Sequence, residues 1–414
     1  MKKRKIVVVE IANSGGLIHF DYQMCTALAN AGLDVTLLTG SDYELQFLPH
    51  NFSVVNILKL WKNFEEYSVN TEKIFIKRIS RLIYRNFRRI LRGLRAIWAW
   101  ATITSYILNI KPEIVQFSRL EYPFEFFFIL FLKKKGFKLS QVCHEFEERE
   151  SKGVFSSLLH RFDLYAYRTF SAIFFLAEES RERFLSSFTG VSKNNTFVIP
   201  HGNSGWLLNI QTPFEDLKLR DRYKLRSNDK VVLFFGLISP SKGVEDLIEA
   251  FKLVLDYCDA KLVLAGYPTK HMNMNTIISS FSSEFSENVR TDFRYIPLSE
   301  IGALMDIASV VVYPYLSGTQ SGALQVAYTF GKPVIATRVG GLPEVVDDTK
   351  SGFLVPPNSP YDLAMKIVVI LKDDALANEM GKYAHNLSVT RFNWEEVVKK
   401  MLLIYSEQIF HLFN

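Results

Sequence analysis

The chain runs twice through one alternation: a short β-branched run, a glycine, then an amphipathic segment. Ile6–Ile11 leads through Asn13-Ser-Gly-Gly16 into a helical segment ending at Gly32, and Val35–Leu38 follows. Ile114–Phe117, Phe137–Val142, Ala172–Phe175 and Phe197–Ile199 read as further strands between helices. After Pro200-His-Gly-Asn203 the pattern restarts with Lys230–Phe235, a helix over Val244–Asp256, and Lys261–Ala265. Phe293–Ile296, Val310–Tyr313 and Val334–Thr337 continue it, and Trp394–Ile409 reads as one closing amphipathic helix. Strands alternating with helices predict parallel sheets covered on both faces, with ligands at the carboxyl ends of the strands. The expected fold class is therefore α/β, with two doubly wound domains and a boundary near residue 203.

Bulk composition narrows the class further. An apolar fraction of 48% beside 22% charged residues describes a chain with a substantial core. The three cysteines, Cys25, Cys143 and Cys258, are far apart and odd in number, which suits a reducing compartment and no metal cluster. The N-terminal MKKRKIVVVE resembles a signal peptide only until Glu10 interrupts its apolar run. No stretch reaches the ~18 apolar residues of a membrane span. A cytoplasmic chain is expected, with no cofactor and no nucleic-acid partner.

Two loops of the second half carry chemistry. In Phe234-Phe-Gly-Leu-Ile-Ser-Pro-Ser-Lys-Gly-Val244 a strand ends at Gly236 and Lys242 stands just before a helix. A lysine beside a helix N-terminus is placed to meet an anion. Ser317-Gly-Thr-Gln-Ser-Gly322 then leads into a helix whose apolar face holds Leu324, Ala327 and Tyr328, with Gly331 as its C-terminal cap. Small residues let a phosphate approach the backbone closely, so the amides of Gly318, Thr319, Gln320, Ser321, Gly322 and Ala323 form an expected diphosphate cradle. No carboxylate stands in that loop to repel the anion.

With Gly331-Lys-Pro-Val-Ile-Ala-Thr337, Gly340-Gly-Leu-Pro-Glu344 and Ser351-Gly-Phe-Leu-Val-Pro356, these motifs resemble the donor domain of family 4 retaining glycosyltransferases with the GT-B fold. Cys143-His144, Ile199-Pro-His-Gly202 and Phe392-Asn-Trp394 extend the likeness more loosely into the rest of the chain. The resemblance implies residues 1–203 as an acceptor-side domain and 204–390 as a donor-binding domain. It also implies that residues 391–414 cross back to the first domain, and that a cleft separates the two. By the same likeness Lys242 touches the nucleotide diphosphate, His144 contacts the donor sugar near the reacting carbon, and Gly15 and Gly16 approach the diphosphate and acceptor. His19 and Asp21 follow close enough to touch the acceptor.

The departures from the family pattern are specific. Leu237 stands where an arginine often contributes a phosphate contact, and Gly318 and Val326 stand where the family has two glutamates. Ribose binding then falls to Gln325 or Gln320. No Asp-x-Asp triplet occurs, so the leaving group is expected to be neutralised by Lys242, backbone amides and a helix dipole without a metal. Lys73 to Trp98 adds a basic amphipathic helix, with nine positive residues and no acidic one between Lys73 and Arg95. Such a helix suits an anionic membrane surface, which implies a lipid-linked saccharide acceptor used for a surface polymer. The expected partners are a nucleotide-diphosphate sugar, that acceptor, and the inner face of the cell membrane. Two alternatives stand beside this reading: a non-catalytic sugar-nucleotide-binding scaffold subunit, and a nucleotide-sugar epimerase of the same fold.

Overall fold

A computed structural model describes residues 3–58, 78–120, 122, 124–146, 156–211, 213–279, 281 and 283–410. The chain forms two compact units. One comprises residues 1–175, 181–199 and 398–414; the other comprises 176–180 and 200–397.

The first unit holds seven parallel strands: β1 Lys5–Val9, β2 Asp34–Gly40, β3 Ser53–Leu58, β4 Ile114–Phe117, β5 Lys138–Cys143, β6 Ala172–Phe175 and β7 Thr196–Val198. They lie in the order β3-β2-β1-β4-β5-β6-β7, so the strand order reverses at β1 and β4. Helices α1 Gly16–Asn30, α2 Arg78–Ile110, α3 Glu125–Lys134, α4 Ser156–Tyr167 and α5 Glu178–Ser187 provide the crossovers. The core on one face joins Val7, Val9, Val115 and Phe117 to Trp100, Ile103 and Ile107 of α2. Strands buried on both faces need no polar alternation, which is why their sequences read as unbroken apolar runs.

The second unit holds six parallel strands: β8 Val231–Phe235, β9 Lys261–Ala265, β10 Val289–Asp292, β11 Val310–Tyr313, β12 Val334–Thr337 and β13 Gly352–Val355. Their order is β10-β9-β8-β11-β12-β13, with the reversal at β8 and β11. The two parallel sheets with covering helices are the doubly wound α/β class expected from the sequence. One strand was misplaced. Phe293–Ile296 is irregular, and the strand is the preceding Val289–Asp292. Asp292 accepts from Tyr223 Oη at 2.8 Å and pairs with Arg294 at 2.7 Å, so this polar edge strand is fixed by side-chain bonds that hydropathy does not report.

The C-terminal helix, Trp394–Tyr405, ends in a π turn over Ser406–Phe410. Its last residue enters the core of the first unit. Tyr405 is 0% exposed, and its hydroxyl lies 3.1 Å from Ser140 Oγ and donates to Gln116 Oε1. Burial pushes the phenol up, so it is neutral and able to donate. Tyr405→Phe would leave the buried Gln116 carbonyl oxygen without this donor. The variant is expected to lose about 1–3 kcal/mol in urea denaturation, the scale for an orphaned buried polar group.

Candidate functional site

Both loops singled out in the sequence meet at the carboxyl end of the second sheet, after the switch-point strands β8 and β11. Gly236 follows β8 at φ 142°, and a Cβ built on it would stand 3.9 Å from that of Ala323. Pro240–Lys242 forms a single 3-10 turn, after which Gly243 takes φ 62°. A Cβ on Gly243 would lie 2.0 Å from the carbonyl oxygen of Pro314, so only glycine fits. The carbonyl of Ser241 accepts the amides of Leu316 and Ser317 at 2.9 and 3.3 Å, which ties the lysine turn to the loop after β11.

Lys242 itself lies over the ring of Tyr315, its Nζ 3.6 Å from the centroid. A ring face attracts a cation through its quadrupole and leaves the charge on the ammonium. Tyr315 Oη lies 2.9 Å from Ser321 Oγ, and Ser321 caps the Gly322–Thr329 helix by accepting from Leu324 N at 3.3 Å. The first-turn amides of Gly322 and Ala323 precede any intrahelical acceptor, and the positive end of the helix dipole lies there.

Two further segments fix this loop. Gly340, at φ 52°, packs so closely that a Cβ would meet Gly318 O at 1.8 Å, and Gly341 N donates to Thr319 O at 2.9 Å. On the opposite side, a Cβ on Gly322 would approach His201 Nε2 to 3.2 Å. His201 Nδ1 lies 2.8 Å from Gly202 O, which can only accept, so this nitrogen carries the proton. Burial holds the imidazole down at about 4, hence neutral at pH 7. Gly202 packs under Trp394, whose Nε1 donates to Asn203 O at 2.9 Å, so the Phe392-Asn-Trp394 motif braces the loop from behind.

The structure thus brings Gly236, Lys242, Gly318, Thr319, Gln320, Ser321, Gly322 and Ala323 together. Gly318, Thr319 and Ser321 are buried, while Lys242, Gln320, Gly322 and Ala323 are half-buried. Gln325 is 0% exposed, and neither amide atom has a hydrogen-bond partner among the described residues. Leu237 is 55% exposed beside this cradle.

In the first unit Gly15 takes φ 87° at the start of α1. Its amide donates to Glu44 Oε2 at 2.9 Å, and the same oxygen pairs with His19 Nε2 at 2.9 Å. Glu44 lies 29 residues beyond Gly15, so no local spacing announced its role. His144 follows β5 and meets the Phe20 ring edge to face, with centroids 4.7 Å apart. Asp21 does not face solvent as expected for an acceptor contact; it is 0% exposed. The basic stripe between Lys73 and Arg92 lies outside the residues whose side chains are described.

Comparison with known proteins bears on the fold and the family likeness. Residues 215–387 match the family model of glycosyl transferases group 1. An uncharacterised glycosyltransferase of Methanocaldococcus jannaschii is 33% identical over 175 residues, covering 42% of this chain and 47% of that protein. The chain thus spans about half the length of the curated relatives it matches. Among solved structures, Anabaena HepE in complex with UDP and glucose aligns over 98% of this chain and all of that one, with TM-score 0.72 and 18% identity. WaaG, a glycosyltransferase involved in lipopolysaccharide biosynthesis, aligns over 96% of this chain and 99% of that one, with TM-score 0.64 and 14% identity. The fold is GT-B, and the resemblance to family 4 glycosyltransferases read from the sequence is borne out.

The αL turn at Gly243 sets the height of Lys242 against Tyr315. Gly243→Ala combines left-handed strain with a backbone clash. It is expected to lower stability by roughly 2 kcal/mol or more, measured by thermal unfolding with the parent as reference.

Proposed function

We propose that the chain transfers a glycosyl group from a nucleotide-diphosphate sugar to a saccharide acceptor, with retention of anomeric configuration and without a metal. The observation that carries this reading is the second-unit cradle. Lys242 lies 3.6 Å over Tyr315, beside a carboxylate-free loop that leads into the Gly322–Thr329 helix, whose first-turn amides precede any intrahelical acceptor. That combination suits the charge developing on a departing diphosphate. HepE, with the same fold, binds UDP and glucose, which supports a donor of this chemistry. For the ribose, half-buried Gln320 is better placed than Gln325, which is enclosed. His144 keeps the donor-sugar contact that the family likeness implies. In this reading the acceptor hydroxyl attacks the sugar carbon on the face from which the diphosphate leaves. The carbon–oxygen bond to the diphosphate breaks as the new glycosidic bond forms, and a diphosphate oxygen takes the hydroxyl proton.

Exposed Leu237, with Gly318 and Val326 in place of glutamates, favours the second reading, a non-catalytic sugar-nucleotide-binding subunit. One assay separates the two. With EDTA present and a panel of nucleotide sugars, the parent is expected to turn over. Lys242→Ala should remain folded and be slower by roughly 10²–10³. No turnover by the parent, or an unchanged rate in the variant, would refute the assignment.

The acceptor in this reading is lipid-linked, used for a surface polymer, and met at the inner face of the cell membrane. No helix among the described residues is long and apolar enough to cross a membrane. Support comes from the first unit's outer helices: Leu94, Ile97 and Trp98 of α2, Phe127 and Phe131 of α3, and Tyr165 of α4 are exposed large apolar side chains. Cations accompany them. Lys135 lies over Phe131 and Arg168 over Tyr165, at 5.5 and 5.9 Å from the ring centroids. Lys133 is pushed down by burial and by Lys138, a crowding that anionic headgroups would relieve. Exposed aromatic rings with basic side chains beside them fit a headgroup layer. The parent is expected to co-sediment with anionic vesicles at low salt. Trp98→Ser/Phe127→Ser and Arg81/Arg85/Arg88/Arg92→Glu variants should each reduce this several-fold, and equal binding by all three proteins would exclude the surface.

A further inference from the structure

Tyr43 and His50, in the connection between β2 and β3, carry polar atoms that the fold leaves uncommitted. Tyr43 is 1% exposed, and its hydroxyl has no hydrogen-bond partner among the described residues. The same holds for Nε2 of half-buried His50. Folded proteins seldom leave buried groups of this kind unpaired. The rings that carry them are fixed by packing. Tyr22 Oη on α1 donates to Pro49 O at 2.9 Å, and the Tyr22 and His50 rings meet edge to face with centroids 5.4 Å apart. The His50 centroid also lies 5.0 Å from that of Phe52 and 5.7 Å from that of Tyr43.

Both residues line a cavity of about 260 Å³, together with Gln46, Phe52, Val54 and Asn56. Val55 and Ile57 pack into the core of the first unit, so the alternate residues Val54 and Asn56 face the other side of β3, an edge strand. Gln46 and Asn56 are exposed, which gives the cavity a rim of two amides. None of the six lining residues is acidic, lysine or arginine. Burial holds the His50 imidazole below its ordinary value, so it too is neutral at pH 7. The adjacent carboxylate, Glu44, is engaged by Gly15 N and His19 Nε2, each at 2.9 Å.

That lining selects a chemistry. A phosphate or carboxylate would meet no cation among these side chains and an ammonium no anion, so either would lose hydration without a charged partner. A wholly apolar ligand would leave Tyr43 Oη and His50 Nε2 unpaired. A hydroxyl both donates and accepts, so it pairs with a phenol, with either imidazole tautomer and with both amides. A pyranose presents several hydroxyls around a ring whose C–H face can lie against an aromatic side chain. Pockets for drug-sized ligands span roughly 300–1,000 Å³, so this smaller one suits a single ring.

We infer that this cavity is a saccharide subsite, in which Tyr43, His50, Gln46 and Asn56 bond the hydroxyls of one uncharged pyranose ring and Phe52 supplies its apolar contact. That the ring belongs to the acceptor rests on the glycosyl-transfer reading above; that the cavity binds it does not. Glu44, the residue after Tyr43, accepts the Gly15 amide, so the same connection that shapes the cavity also holds the glycine turn.

Saturation-transfer NMR on the full chain tests the subsite, with methyl glycosides of glucose, galactose and N-acetylglucosamine as probes and glucuronate and glucosamine as charged controls. The parent is expected to bind at least one neutral glycoside, with a dissociation constant on the order of millimolar, and to prefer it to both controls. Tyr43→Phe removes a hydroxyl that no described protein group uses. It is expected to keep the parent's stability in urea and to weaken binding about fivefold, the scale of one neutral hydrogen bond. Val54→Trp fills the cavity from the edge strand and should abolish the saturation signal. Binding is read without turnover, so an inactive parent that binds in this way would refute transfer and still support the subsite. A parent that binds no neutral glycoside, whether or not it turns over, would overturn the inference. So would a preference for a charged control, equal binding by the parent and both variants, or a destabilised Tyr43→Phe, which would show that the hydroxyl serves the fold.

Discussion

Backbone lying directly on backbone is the constraint from which the second unit's loop follows. At Gly243, Gly266 and Gly340 a single methyl would stand 1.7–2.0 Å from a carbonyl oxygen of Pro314, Gly236 or Gly318. Each of these glycines has positive φ, so both the conformation and the space exclude a side chain. The strand ends can therefore crowd together, and the Gly322–Thr329 helix starts within reach of the lysine turn. Side chains decorate that arrangement; they do not create it.

Electrostatics then acts within a nearly rigid frame. Tyr315 holds Lys242 by its ring and Ser321 by its hydroxyl, so one aromatic residue aligns the cation and the helix cap. The frame needs no carboxylate, because its glycine contacts already fix the backbone. In the first unit the opposite solution appears. Gly15 leaves open space where a Cβ would go, and Glu44 and Glu10 fix the turn by accepting the backbone amides of Gly15 and Ala12.

Strands flanked on both sides within a sheet were legible in the sequence, because they are apolar on both faces. Strands β3, β10 and β13, which the sequence did not yield as strands, all lie at sheet edges. An edge strand pairs on one side only and can carry residues such as Ser53, Arg290 and Asp292, so its periodicity fades. The glycine-rich loops of the second unit were legible because their residue types are set by local backbone geometry. Glu44 and His201 were not, since each acts on a turn or helix distant in sequence. Asp21 was misread for a related reason: a helix-start aspartate normally faces water, and only the tertiary fold encloses this one.

Glu344 accepts the amides of Glu178 and Glu179 at 2.8 and 2.9 Å, closing over the start of α5. Those amides belong to residues 176–180, a short insert of the second unit within the sequence of the first. The polypeptide therefore passes from one unit to the other at four places along its length, near residues 175, 180, 199 and 397. A gene fragment encoding 200–397 would omit the strand-to-helix corner that Glu344 grips, and would expose Ala177's packing partner, Gly341. The modular boundary that a linear map suggests is thus not a place where this molecule can be cut without loss. Exchange of the second unit with that of a relative would have to carry that five-residue corner along.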